Sequence, residues 1–253
     1  MKIIMLISMI IVSVFVLAAE ATPISIYGVQ YTTEASGNSP YVGQAVDCTG
    51  GIVINKWVGG STKLTLCAPA TPTGWGGIIV KTFGSEFDSV QVGDWVSFTN
   101  ILVEEKSGNT QLSYATSSGI NVDSSGNAVP EAVDITASSF LEQYESMKVK
   151  VSDAEITAMG LGKYGDNYNL HNTNGDYLAG DYMNVDAGGL YHPYVAVGAA
   201  FESVSGIIEH KISGSWNYYQ MLTTSTSDFV VPEPITMVLL AAGAVMLRRR
   251  RNT

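Results

Sequence analysis

The chain has 253 residues, of which 46% are hydrophobic and 14% charged, and its formal net charge at pH 7 is −10. Residues 22–231 contain eight lysines, no arginine and 21 acidic side chains, which gives this body a net charge of −13. This composition disfavours nucleic acid as a partner, because the body repels phosphate and lacks the side chain that binds phosphate in a bidentate manner.

The first 21 residues have the features of a secretory signal peptide. Lys2 precedes an apolar run over residues 3–18, and Ala19 and Ala21 are the small residues that a signal peptidase reads. We therefore predict cleavage after Ala21 by signal peptidase and an extracytoplasmic location for the mature protein.

The body that follows is predicted to be all-β. Short runs rich in Val, Ile, Thr, Tyr and Trp are separated by clusters of Gly, Asn, Ser and Asp, as in strands joined by tight turns. The best helical pattern is short and lies over residues 137–146. Cys48 and Cys67 are the only cysteines, and an oxidising compartment favours a disulfide between them over two buried thiols.

An internal repeat divides the body into two units. Residues 90–112 resemble residues 195–221. Each copy has a Val-Gly turn, a long alternating strand, a Ser-Gly hairpin tip and a returning strand. Residues 44–54 correspond more loosely to 147–157 at a similar offset. We predict two β domains, over residues 22–130 and 131–230, joined at the polar segment 123–130.

Each unit is predicted to be a small Greek-key barrel of the OB type, with an immunoglobulin-like sandwich as the alternative. Three stretches of the first unit carry a resemblance: ISIYGVQ at 24–30, SPYVGQAVDCTG at 39–50 and VGDWVSF at 92–98. They resemble the OB-like domains that accompany secreted bacterial nucleases. The resemblance implies a fold and an accessory role, since these are turn and core residues.

No constellation in the body predicts catalysis. His171, His192 and His210 lie outside any zinc-binding spacing, and no Gly-x-Ser-x-Gly elbow is present. His210 stands between Glu209 and Lys211 at a predicted strand end, which favours a solvated position. We expect no enzyme activity, no cofactor and no metal.

Aromatic residues of the second unit are the candidate ligand-binding groups. Exposed aromatic rings on a small barrel stack on sugars or on bases, and the acidic charge favours a neutral extracellular polysaccharide. The alternatives are that these rings are core packing, or that the chain is a nucleic-acid-binding accessory module. The candidates are Tyr164, Tyr168, Tyr177, Tyr182, Trp216 and Tyr218.

The C-terminal residues 231–253 form a tail with three parts. Pro232, Glu233 and Pro234 precede an uncharged run over 235–247, and four arginines follow at Arg248, Arg249, Arg250 and Arg251. The order resembles the PEP-CTERM sorting domain, which implies a membrane helix and processing by an exosortase in a Gram-negative-type bacterium. A buried C-terminal helix is the alternative. We predict an exported protein of the cell surface or extracellular matrix, membrane-anchored at least before processing.

Overall fold

The protein is described by a computed structural model over residues 22–68, 74–115 and 117–232, and this part is almost entirely β-structure. A short helix α1 opens it, with the Ser25 hydroxyl accepting a hydrogen bond from the Gly28 amide as a cap. The elements of the first half are α1 (Ile26–Gln30), β1 (Ala45–Val58), β2 (Thr62–Cys67), β3 (Gly77–Thr82), β4 (Trp95–Lys106), β5 (Asn109–Ser113) and β6 (Gly119–Ser124).

The first sheet closes into a barrel. Its strand order is β1-β2-β3-β5-β4-β6, and β1 also pairs with β4. All these pairings are antiparallel except that of β3 with β5. The long strand β1 pairs with both β2 and β4 and so closes the ring. Together with the parallel pairing of β3 and β5, this gives the predicted five-stranded Greek-key barrel and excludes the sandwich.

The second half repeats the same architecture. Its order is β13-β11-β12-β10-β9-β8-β7, β11 closes the ring against β8, and β10 is parallel to β12. The predicted repeats fall on equivalent strands, with β1 matching β8 and the β4–β5 hairpin matching β11–β12. The strands are β7 (Val133–Asp134), β8 (Lys148–Leu161), β9 (Asn167–Asn172), β10 (Gly175–Gly180), β11 (Ala200–Ser213), β12 (Trp216–Leu222) and β13 (Phe229–Val230).

Each barrel has its own apolar core, produced by alternation along the strands. In β4, Val96 and Phe98 point inward, and after an irregularity at Asn100 (φ 50°) the inward positions become Ile101 and Val103. A left-handed residue inside a strand shifts the alternation by one residue and keeps both ends of the strand facing the core.

The predicted helix at 137–146 is shorter than expected. Only Glu142–Tyr144 forms a turn of 3₁₀-helix, and it ends before Ser146, which has a positive φ of 59°. Phe140 is buried in the core of the second barrel, whereas Leu141 is exposed. The apolar residues therefore do not share one helical face, because the chain turns here to begin β8.

The predicted disulfide is absent from the structure. Cys67 pairs across the sheet with Ile52, whereas Cys48 lies four residues earlier in β1 and pairs with Phe98 of β4. A disulfide requires Cα atoms about 4.4–6.8 Å apart. Both cysteines are free thiols, and burial raises the pKa of each to about 11.

The two barrels pack against each other through backbone and buried polar groups. The Trp75 amide donates to the Gln143 carbonyl at 2.6 Å. The Asn109 side chain accepts from the His210 amide at 2.9 Å and donates to the His210 carbonyl at 2.5 Å. Gly77 lies directly against the Ser146 carbonyl group, where a Cβ atom has no room.

Within the described ranges, no helix is both long and apolar enough to cross a membrane. The predicted signal peptide with Ala19 and Ala21, and the tail from Glu233 onward, lie outside the described residues. Val231 and Pro232, the last two described residues, are exposed.

Candidate aromatic binding site

A cleft lies at the end of the second barrel where two loops meet. The loop between β8 and β9 (residues 162–166) stands opposite the β11–β12 hairpin tip at 214–215, and OB barrels bind their ligands at the equivalent loops. The cleft has a volume of about 190 Å³. Its lining residues are Tyr164, Asp166, Tyr182, Lys211, Tyr218 and Gln220.

Tyr164 forms one wall of this aromatic cleft, and its side chain is 65% exposed. The Lys163 ammonium lies 4.8 Å from the centre of the Tyr164 ring and donates a hydrogen bond to the Ser213 hydroxyl at 2.5 Å. A hydrogen bond from Lys163 and its positive charge lower the pKa of Tyr164. Lys163 therefore connects the two loops and holds the exposed ring beside the cleft.

Tyr218 lines the opposite side of the cleft, and Trp216 lies next to it. Their side chains lie on the same face of β12, with ring centres 6.1 Å apart in a T-shaped arrangement. The Tyr218 hydroxyl accepts a hydrogen bond from the Lys163 amide at 3.3 Å. Trp216 is 44% exposed, so an apolar surface is available to a ligand on this side as well.

A buried hydrogen-bond network fixes the floor of the cleft. The Tyr182 hydroxyl donates to Glu209 at 2.8 Å, and the Gln220 amide donates to the other oxygen of Glu209 at 2.6 Å. Burial of the hydroxyl and the Glu209 carboxylate raise the pKa of Tyr182 well above its usual value. The ring of Tyr182 is 40% exposed, so it presents its face while its polar end stays anchored.

The first barrel contributes residues that the sequence analysis missed. Trp57 and Lys63 are cross-strand partners, and Lys63 pairs in turn with Lys81. The Lys63 ammonium lies 5.4 Å from the centre of the Trp57 ring and 5.9 Å from that of Tyr182. Burial lowers the pKa of Lys63, and the charges of Lys81 and Lys211 lower it further, against the opposing effect of Glu209.

Three of the six predicted ligand-binding residues line the cleft, namely Tyr164, Tyr182 and Tyr218, and Trp216 packs against Tyr218 beside it. The prediction is wrong for Tyr168 and Tyr177, which are buried in the core of the second barrel. The Tyr168 hydroxyl donates to Asp181 at 2.9 Å, and the Tyr177 hydroxyl donates to the Ala137 carbonyl at 2.5 Å. Their polar ends are satisfied inside the protein, as is usual for buried tyrosines.

The three histidines occupy different environments. His171 is exposed, with Nδ1 3.0 Å from Asp176, whereas His192 is buried and stacks on Phe229. The prediction of a solvated His210 is wrong, because this residue is only 6% exposed and stacks on Tyr219 with ring centres 4.1 Å apart. Packing of the first barrel against this strand end buries it.

No family model and no curated protein matches the chain. Among solved structures, it is similar to a murine DNA-binding protein bound to double-stranded DNA, at 14% identity and a TM-score of 0.37, over 69% of this chain and 88% of that chain. It is also similar to fission yeast Pot1 with single-stranded DNA, at 13% identity and a TM-score of 0.34, over 81% and 84%. A third is a replication protein A heterotrimer bound to single-stranded DNA, at 10% identity and a TM-score of 0.24, over 81% and 69%. Similarities at these TM-scores carry no argument about function.

Proposed function

We propose that this chain is a non-catalytic saccharide-binding protein that holds its ligand in the aromatic cleft. The observation that carries the proposal is a cleft at the loop end of an OB barrel that is lined by three tyrosines, with the Trp216 ring packed against one of them. Exposed rings stack on the apolar faces of sugars. Asp166, Lys211 and Gln220 in the same cleft supply both acceptors and donors for hydroxyl groups.

A polysaccharide ligand agrees with the proposed location. The signal peptide and the PEP-CTERM-like tail support export, processing by signal peptidase and an exosortase, and residence at the cell surface or in the matrix. Exposure of Val231 and Pro232 supports access of a processing enzyme to the adjoining Pro-Glu-Pro motif. The intact mass of the protein from its native host checks this: a full-length tail in every fraction would contradict the processing.

Single-stranded nucleic acid is the second candidate ligand, because lysines surround the aromatic side chains. Lys163 and Lys211 lie at the cleft, and Lys63 and Lys81 lie on the adjoining face of the first barrel. Aromatic rings beside basic groups are the usual platform for single strands. The net charge of −13 of the body opposes this candidate, as does Asp166 in the lining.

Titration calorimetry of the purified protein tests the proposal with three probes: neutral oligosaccharides, uronic-acid oligosaccharides and oligothymidylate. We expect saccharide binding that Tyr164→Ala and Tyr218→Ala each weaken about fivefold, since one aromatic contact contributes about 1 kcal/mol. Tyr27→Ala, which removes an exposed ring far along the chain on α1, is the matched control and should bind as the unaltered protein does.

Two results would contradict saccharide binding. One is the absence of heat with either class of oligosaccharide, and the other is binding that both cleft variants leave unchanged. Oligothymidylate binding that weakens steeply with added salt, in proportion to the phosphates neutralised, would replace the proposal with the second candidate.

A further inference from the structure

A second cluster of polar side chains lies between the barrels, on the second barrel's surface that faces the first. Glu142 and Glu145 come from the 3₁₀ turn before β8 and the residue after it, and His210 comes from β11. One ligand atom from each of the three lies within 4.8 Å of the others. His210 Nδ1 is 3.6 Å from Glu142 Oε2, which is too long for a hydrogen bond.

Two of these atoms have no hydrogen-bond partner although they are buried. They are Glu145 Oε2 and His210 Nδ1, on side chains that belong to residues only 2% and 6% exposed. Buried polar atoms in folded proteins almost always have a partner. A buried carboxylate oxygen and a buried imidazole nitrogen in one cluster, neither of which has a hydrogen-bond partner, point to a ligand that binds both.

The surrounding residues hold the imidazole in the orientation that a metal ligand needs. Its Nε2 lies 2.7 Å from Asn217 Oδ1 and can donate to it, and Nδ1 is the ring nitrogen that faces Glu142. Metal-binding histidines are usually oriented by such a hydrogen bond from the other ring nitrogen. Asn109 binds both the amide and the carbonyl of the His210 backbone, and the Tyr219 ring stacks on the imidazole.

The two carboxylates are held as well. Glu145 Oε1 accepts a hydrogen bond from the Thr110 amide at 2.8 Å, and its Oε2 has no partner. Glu142 Oε2 accepts a hydrogen bond from the Tyr219 hydroxyl. Residues of both barrels, Thr110 of the first and Tyr219 of the second, therefore position the ligand atoms.

No described lysine is paired with the two carboxylates of the cluster. In residues 22–232 as described, the lysine ion pairs involve Asp228 and Asp134 and neither of these glutamates. A bound cation would balance the two carboxylates.

We propose that Glu142, Glu145 and His210 bind a zinc ion between the two barrels. Zinc accepts carboxylate oxygen and imidazole nitrogen together, whereas calcium and magnesium prefer oxygen ligands alone. Two ligands about 2.1 Å from a tetrahedral ion lie about 3.4 Å apart, close to the 3.6 Å between His210 and Glu142. A groove of about 700 Å³, lined by both of these residues, gives a water or another ligand access to the fourth position.

The test is zinc binding by the full-length protein, measured by calorimetry with zinc sulfate and by elemental analysis after dialysis. We expect one zinc ion per chain, retained in excess calcium and magnesium. His210→Gln and Glu145→Gln should each weaken binding at least about 100-fold, and Asn217→Ala about tenfold. His171→Gln, which removes an exposed histidine beside a carboxylate, is the matched control and should leave the stoichiometry and affinity unchanged.

Anomalous scattering at the zinc edge from crystals of the unaltered protein keeps the test independent of how the variants fold. A peak among the three ligand atoms is expected. The proposal is overturned if the protein takes up no zinc at micromolar concentrations, if His210→Gln binds as tightly as the control, or if the peak lies elsewhere, such as beside His171.

Discussion

Asp228 shows how one buried charge makes the stability of this protein depend on pH. Its carboxylate is 2.8 Å from the Lys148 ammonium and accepts hydrogen bonds from Ser205, Thr224 and Ser225. Burial alone would raise the pKa of Asp228, but Lys148 and these donors hold it below its usual value. The contribution to stability is therefore complete above the unfolded-state pKa of about 3.9 and is lost as the pH falls through the lower folded-state pKa.

We expect Asp228→Asn to lower the free energy of unfolding at pH 7 by about 3 kcal/mol, since it leaves Lys148 without its buried partner. Chemical denaturation at a series of pH values measures this. The difference from the unaltered protein should begin to shrink below about pH 4, where the unfolded-state carboxyl becomes protonated, and should vanish below the lower folded-state pKa. Asp134→Asn, which breaks an exposed pair with Lys150 at 3.6 Å, should cost under about 1 kcal/mol. A difference that stays constant down to acid pH would contradict the assignment.

At this scale the sequence predicted residue types better than residue environments. Of the aromatic residues that it selected, Tyr164, Tyr182 and Tyr218 line one cleft, and their role in binding stays a prediction. Tyr168 sits between them in the chain but faces inward, since β9 alternates between core and surface. Without the register of β9, its phenol could not be distinguished from an exposed one.

At the scale of single elements, β3 begins where the two barrels touch, and only glycine fits there. A Cβ atom on Gly77 would overlap the Ser146 carbonyl group and the Met147 amide, both of which are backbone and cannot move aside. The Gly77 carbonyl also accepts a hydrogen bond from the Gln30 side chain at 2.6 Å. Any side chain at this position must therefore separate the strand from the turn before β8.

Gly77→Ala should lower the free energy of unfolding by about 1–3 kcal/mol through this overlap. Gly60→Ala is the matched control, because nothing lies within 4 Å of a Cβ atom at Gly60, and it should change stability by less than about 0.5 kcal/mol. Thermal melts compare the melting temperatures of the two variants with that of the unaltered protein. Equal melting temperatures would show that β3 can shift without cost.

The strands themselves were largely predictable, and the reason is local. Alternation of apolar and polar residues, with Val-Gly and Ser-Gly turns at matching places, marks β4–β5 and β11–β12 in the sequence. The predicted disulfide failed because it depended on a distance across the sheet, where the partner of Cys67 lies four residues from Cys48, and spacing along the chain does not determine that distance. The predicted helix failed because the chain turns at Ser146, which has a positive φ, to begin β8.

At the scale of the whole molecule, the packing of the two barrels is what the sequence could not predict. The interface consists largely of polar side chains that would look solvated on either barrel alone, such as Asn109, Glu145 and His210. Their burial follows from shape and hydrogen bonding between units rather than from an apolar pattern. The zinc site that we propose lies in this interface, so it was hidden for the same reason.

Because backbone groups of one barrel bind those of the other, we expect the protein to unfold in one cooperative transition. Calorimetry should give equal calorimetric and van't Hoff enthalpies.

Asn109→Ala removes the donor and the acceptor that satisfy the His210 backbone, and an unsatisfied buried group costs about 1–3 kcal/mol. That loss weakens the interface while leaving both cores intact, so the variant should melt in two steps or with a lower van't Hoff enthalpy. Asn121→Ala, on the exposed face of β6, should melt as the unaltered protein does, and two separate transitions in the unaltered protein would show that the barrels fold independently.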